Sequence, residues 1–272
     1  MRRVLLSLVV LSSMGMAQAA AANAGSGANP GYDDTPLLRN AAGVELPWRV
    51  HDRRRPRPDV VAGARCVSVP PPADAVVLFD GVSSAAWRSG DKPAAWAVRD
   101  GCMLAGGGDL RSAETFSDAQ VHLEWRAPIE NTKQGQQRGN SGVFFMERYE
   151  VQILESHGSI TYADGQAAAL YGQWPPLVNA CSAAGEWNSY DIVFRAPQFD
   201  PEGKCTQAAR VTMLHNGVLV HSERAFMGAT AHKALAQYSA HGPAALRLQD
   251  HGDAVAFRNI WLRRLAASGD SK

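Results

Sequence analysis

Tyr149 to Glu155 reads YEVQILE, and its period of two marks a β-strand. On a strand Glu150, Gln152 and Leu154 share one face, and Tyr149, Val151, Ile153 and Glu155 share the other. Val151 and Ile153 suit a core between two sheets, which turns Glu150 and Gln152 outward. A carboxylate and an amide two residues apart stand about 7 Å from each other along a strand, a span that a small ligand ring can bridge. The plainer alternative is that Glu150 pairs with an Arg of a neighbouring strand, as polar residues on a solvated sheet face often do.

Other residues invite the same question. Gln249 and His251 are also two apart, and a neutral imidazole accepts or donates a proton near neutral pH. The alternative for His251 is a structural role beside the turn at Gly252. Glu124 alternates with Leu123 and Trp125; it belongs either beside Glu150 or in an ion pair with Arg126 or Arg258. Asn140 precedes an apolar run and either donates to a sugar hydroxyl or satisfies turn backbone. Tyr171 and Trp174, in YGQWPP, lie in loop-like sequence, where an aromatic ring is less often core and is open to a ligand. Trp187, in GEWN, stands at a strand entrance and either binds or packs. Asp250 and His251 adjoin, but no metal-ligand spacing accompanies them and no CxxC or HxxEH occurs. No cofactor is expected, and a divalent metal at that pair stays open.

The elements that position these residues are short. From Val76 onward, apolar runs alternate with Gly, Asp and Asn clusters: Val76 to Phe79, Trp96 to Val98, Val121 to Arg126, Gly142 to Met146, Tyr190 to Arg195, Arg210 to Leu214, Val218 to His221, Ala245 to Gln249 and Ala256 to Leu262. Asn216-Gly217 between two such runs is a hairpin signal. No sustained period of 3.6 residues appears. The pattern predicts an all-β fold, a two-sheet antiparallel β-sandwich or jelly roll.

Composition bounds the rest. The 272 residues are 46% hydrophobic, enough for one sizeable core, and a formal net charge of +1 gives no argument for nucleic acid as a partner. Arg2 and Arg3, the apolar run Val4 to Leu11 and Ala17-Gln18-Ala19 read as an export signal over residues 1–19, which predicts a periplasmic or secreted protein. The apolar run is too short to span a bilayer, and no later segment is longer and as apolar. No Cys follows it at a plausible cleavage point, which argues against a lipoprotein. Residues 20–73, rich in Ala, Gly, Pro and Arg, read as an extended arm or solvated linker, including Arg53-Arg54-Arg55-Pro56-Arg57-Pro58; residues 74–266 form the folded domain. Cys66, Cys102, Cys181 and Cys205 allow three pairings, of which Cys181–Cys205 is preferred against an alternative of free thiols.

Several phrases, in order, resemble the 3-keto-disaccharide hydrolase domain family: Leu78-Phe79-Asp80-Gly81 with Trp87, Trp96 to Gly101, Glu124-Trp125-Arg126, Gly139 to Phe145, Tyr149 to Glu155, Gly185 to Asn188, His215 to Val218, Leu248 to Gly252 and Phe257 to Ile260. The resemblance covers about residues 75–265. It implies a concanavalin A-like sandwich with a concave sugar-binding face, and activity on glycosides oxidised at C3. The family has Asp where this chain has Glu155. A C3 ketone acidifies the C2 proton, so a base can remove it and the enolate expels the glycosidic oxygen, with water adding afterwards. The resemblance therefore suggests Glu150 or His251 as base, with Gln152, Asn140 or Arg258 near the carbonyl or hydroxyls, and Glu124, Tyr171, Trp174, Trp187 and Gln249 as further substrate contacts. It also implies a partner oxidoreductase that supplies the keto sugar. Two other readings compete: a non-catalytic carbohydrate-binding module, and an ordinary glycosidase pairing Glu150 with Glu124 or Glu155.

Overall fold

The computed structural model describes residues 30–130 and 132–266; the export signal expected at residues 1–19 and the start of the arm lie outside the described residues. Strands and two short 3₁₀ turns make up all the regular structure there. Among the described residues no helix is long and apolar enough to cross a membrane.

Two antiparallel sheets face each other, as the alternation predicts. The six-stranded sheet runs, in hydrogen-bonded order, Tyr149–Ile153, Ser141–Phe145, Ala244–Leu248, Leu110–Phe116, Trp87–Ser89 and Lys92–Pro93. The eight-stranded sheet contains Val218–Ala225, Arg210–His215, Asn188–Arg195, Ala119–Arg126, Ala256–Arg264, Cys102–Leu104 and Ala97–Arg99, with Val76–Phe79 beside Ala256–Arg264. The core forms because alternate residues of each sheet point at the other sheet. Tyr190, Ile192 and Phe194 are buried while Asp191 and Val193 are only partly so. Phe145 of one sheet stacks on Phe194 of the other with centroids 4.6 Å apart, and Phe116 meets Phe145 edge-on at 6.3 Å. Burying such rings at about 25 cal/mol per Å² drives the sheets together.

Turn chemistry sets register. Asn216 (φ 52°) and Gly217 (φ 77°) close the hairpin that pairs His215 with Val218. Asp100 (φ 50°) and Gly101 (φ 73°) do the same between Arg99 and Cys102. The Leu110–Phe116 strand lacks an apolar alternation because its inward position 112 is a serine, whose Oγ donates to Glu114 O. The strand that begins at Tyr149 ends at Ile153, two residues short of Glu155.

Two expectations need correction. The arm is not a solvated linker throughout. Leu37–Arg39 and Glu45–Arg49 form a hairpin, and Leu38 and Val50 bury against Met227. Arg55 is 5% exposed because its Nη1 donates to Gln173 O (2.9 Å) and lies 3.9 Å from buried Asp164. Farther along, the arm crosses the outer face of the eight-stranded sheet, where Val67 N–H donates to Ser189 Oγ and Val69 O accepts from Trp261 Nε1. Nor do Cys181 and Cys205 pair; all four cysteines are free thiols, and the Cys181 thiol donates to the carbonyls of Leu154 and Ser182.

Candidate active site

A cavity of about 430 Å³ opens on the outer face of the six-stranded sheet. Its floor comes from two adjacent strands: Phe144 from one, Glu150 and Gln152 from the other. The pleat does what the YEVQI pattern predicts, since Tyr149, Val151 and Ile153 are buried in the core and Glu150 and Gln152 point the opposite way. One wall is the 3₁₀ turn Gly135–Gln137 and Asn140; the other carries Tyr162, Tyr171, Thr230 and His232. Tyr32, Gln249 and His251 complete the lining. The second wall is held by backbone rather than by regular pairing. Gln152 N–H donates to Ala169 O, Ala168 N–H donates to Gln152 O, and Tyr171 N–H donates to Glu150 O.

Glu150 is 5% exposed, and among the described residues no donor bonds its carboxylate. Its carboxyl instead rests against Gly142 of the adjacent strand. Burial pushes its pKa up to about 8, although Arg247 pulls it down and Asp109 adds to the rise. Arg247 cannot neutralise it fully, because that guanidinium stacks on Phe144 (3.6 Å) and pairs with Asp109 (2.5 Å). The arginine that a bland ion-pair reading requires is therefore present nearby and bonded elsewhere.

The amides beside Glu150 are half-satisfied. Gln152 Nε2 donates to Gln136 Oε1 (3.0 Å), while Gln152 Oε1 is buried without a partner among the described residues. Asn140 Nδ2 donates to Gln136 O (2.6 Å), leaving its second N–H. On the facing wall the hydroxyls of Tyr162 and Tyr171 share a hydrogen bond (2.9 Å), and the Tyr171 hydroxyl meets His232 Nδ1 (3.1 Å). Burial pushes both phenols well above their ordinary range and, as the main cause, pushes the His232 imidazole down. All three are therefore neutral near pH 7.

The cavity thus gathers Glu150, Gln152, Asn140, Tyr171, Gln249 and His251 from the sequence candidates. Four other candidates lie elsewhere. Glu124 is fully buried on the far face of the other sheet, covered by the arm. Its oxygens accept from Ser68 Oγ (2.6 Å), Asn259 Nδ2 (2.8 Å) and Arg258 Nε (2.7 Å). Although burial raises its pKa, the His122 ring 3.6 Å away and bonds from Ser68, Asn259 and Arg258 hold it well below the usual carboxylate range. Arg258 is used in that pair and also stacks on Trp187 at 3.9 Å, with Arg126 over the same ring at 4.7 Å. Trp174 lines a separate groove of about 330 Å³; its ring has Arg224 at 4.6 Å and Arg55 at 5.6 Å, and its Nε1 donates to Ala225 O. Glu155 pairs with Arg138 and accepts from Gly158 N–H. Asp250 accepts from Gly108 and Gly252 N–H, and among the described residues no group of three metal-binding side chains forms.

Sequence reasoning missed Tyr32, Gln136, Tyr162 and His232. They stand in segments without a period of two, so no pattern says where they point.

The sequence profile of a family described as the 3-keto-alpha-glucoside-1,2-lyase-like domain matches residues 74–263. A 3-keto-disaccharide hydrolase of Bacteroides thetaiotaomicron is 25% identical over 164 residues, which is 45% of this chain; the chain spans about half (54%) of that relative's length. A crystal structure from Parabacteroides distasonis, named provisionally as a glycosyl hydrolase, superposes with a TM-score of 0.71 at 35% identity, over 84% of this chain and 100% of that one. A second, likewise named and from the same species, reaches a TM-score of 0.51 at 18% identity, over 71% of this chain and 94% of that one, and shares the fold alone.

Proposed function

The chain belongs to the 3-keto-alpha-glucoside-1,2-lyase-like domain family, and from that premise we propose that it cleaves glycosides whose sugar is oxidised at C3. One observation carries this reading: Glu150 is the single carboxylate among the residues that line the cavity. An ordinary glycosidase needs two carboxyl groups about 5–9.5 Å apart across the scissile bond. Glu124 and Glu155, the partners such a mechanism would require, are bonded elsewhere. Elimination beside a ketone needs only one base.

Glu150 takes the C2 proton, and the electron pair left behind forms the C2=C3 enolate. The enolate collapses to restore the C3 ketone, a C1=C2 double bond forms, and the C1–O bond breaks with its pair on the leaving oxygen. The Tyr171–His232 pair supplies that oxygen with a proton. Water then adds at C1 and gives one proton back to the Tyr171–His232 pair, Glu150 returns its proton to C2, and the sum is hydrolysis. Gln152 Oε1 and the second N–H of Asn140 hold substrate hydroxyls, and Gln249 and His251 serve the carbonyl end. Burial equips Glu150 for this, since a carboxylate with a pKa of about 8 is a far stronger base than an exposed one.

The test is turnover of a 3-keto-disaccharide beside its unoxidised parent, in wild type and Glu150→Gln. Cleavage of the keto sugar alone, lost in the variant with the fold intact, is expected. Cleavage of the parent, tight binding without turnover, or full activity in the variant rejects the reading. Under the same proposal the protein works outside the cytoplasm, and an oxidoreductase acting earlier supplies the C3 ketone.

A further inference from the structure

The segment that precedes the family domain also reaches this cavity. Residue 32 lies well before residue 74, where the family match begins, yet Tyr32 lines the cavity. Its placement is built rather than incidental. Tyr32 N–H donates to His51 O (2.9 Å), and Tyr32 bridges Asp52. Gly31 sits at φ 137° with its Cα so close to His51 O that a Cβ would stand 2.6 Å from it, so only glycine fits.

His51 is the latch. It is fully buried and held at φ 54°, a left-handed conformation that costs a non-glycine residue free energy. Two bonds to one carboxylate offset that cost: Asp164 accepts from the His51 backbone N–H (2.9 Å) and meets its Nδ1 (3.1 Å). Asp164 lies in the 3₁₀ turn Ala163–Gly165, next to the cavity residue Tyr162, and accepts through its backbone O from Gly172 N–H, next to Tyr171. The His51 ring packs against both in tilted contacts, with centroids 4.1 Å from Tyr162 and 4.8 Å from Tyr171. The latch thus ties the arm to the wall that carries both tyrosines.

The tyrosines form a row leading away from the reacting carboxyl. Tyr171 is bonded to the Glu150 backbone, Tyr162 is bonded to Tyr171, and Tyr32 lies 6.2 Å from Tyr162 with no ring contact to Tyr171. With the keto ring against Glu150, the far end of the row faces whatever is attached at C1. We infer that the arm builds the leaving-group subsite: Tyr32 is a wall for the second sugar of a disaccharide, and His51 with Asp164 is the positioning pair that holds it. This rests on the elimination reading above.

The experiment compares two substrates of that chemistry, a 3-keto-disaccharide and methyl 3-keto-glucoside, whose leaving group has no ring. In Tyr32→Ala the ratio of kcat/KM between them falls about tenfold against the disaccharide, carried by its KM. Tyr32→Phe, which keeps the ring, lowers the ratio less than threefold. His51→Ala, melting as a folded protein, shifts the ratio in the same direction as Tyr32→Ala. Equal losses on both substrates, or an unchanged ratio in Tyr32→Ala, overturn the subsite. Wild type inactive on both substrates overturns the elimination reading instead, so the two failures are told apart.

Discussion

The carboxyl of Glu150 occupies the space a side chain at Gly142 would fill: a Cβ there would stand 2.7 Å from Glu150 Oε1 and 2.8 Å from the Phe144 ring. Gly142 has no positive φ, so it is glycine for room alone. Gly142→Ala should therefore displace the carboxyl and the floor ring together. We expect kcat to fall 10-fold to 100-fold while the sandwich persists at a cost of about 1–3 kcal/mol. Turnover beside a thermal melt checks this; wild-type kcat in a folded Gly142→Ala would mean the carboxyl position is unimportant.

The raised pKa of Glu150 makes a signed prediction. As base, it must be ionised in the free enzyme, so kcat/KM should climb between pH 7 and pH 9 with a midpoint near its value of about 8. A fall through the same range would make Glu150 the acid instead. For stability the native carboxyl holds its proton to about 8, whereas the unfolded chain releases it near 4.5. Over that window the native state binds the extra proton, so stability falls as pH rises. Glu150→Gln, which never ionises, should melt higher than wild type at pH 8 by roughly 1–3 kcal/mol and show no such gain at pH 4. Melting curves at the two pH values decide it.

Glu124 alternates with apolar neighbours just as Glu150 does, yet it is structural. Glu124→Gln removes the charge that Arg258 requires and should cost about 2–4 kcal/mol. Because its pKa is held below the usual range, the stability it supplies is present above the unfolded carboxylate's pKa and is lost as pH falls through the folded one. The penalty of the variant should therefore shrink in acid. Its kcat/KM, measured on folded protein, should stay within about twofold of wild type; a hundredfold loss would return Glu124 to the site.

The contrast between those two carboxylates marks where the sequence is legible. Pleating fixes which residues share a face, so Glu150, Gln152 and their buried neighbours Val151 and Ile153 follow from YEVQI. Pleating does not say which outer face stays open. Glu124 lies on an outer face that Ser68 and Val69 of the arm cover, and Pro-rich and Arg-rich composition gives no sign that the arm docks there. Tyr162 and His232 were illegible for another reason: their loops follow no period, so the wall they form is set by long-range bonds such as His232 to Tyr171. Trp174, in a Pro-rich loop, does face a groove, but its ring is already flanked by Arg224 and Arg55.

The cysteines give the last prediction. Even numbers and the oxidising compartment proposed for this chain favour disulfides on general grounds, but all four cysteines are free thiols. Cys181 is buried against the carbonyls of Leu154 and Ser182, and burial pushes its pKa up to about 12; burial and the charge of Glu124 push Cys66 up to about 11. The thiolate is the reactive form, so both are inert at neutral pH in the folded protein. A thiol reagent at pH 7.5 should label Cys181 and Cys66 only after unfolding, when all four sites react. Reductant should leave the melting temperature unchanged, since a disulfide closing the loop from Cys181 to Cys205 would be worth about 3 kcal/mol and its reduction would lower the melt by several degrees. A reductant-dependent drop of that size, or fewer than four thiols in the denatured oxidised protein, would show that a bridge forms after all.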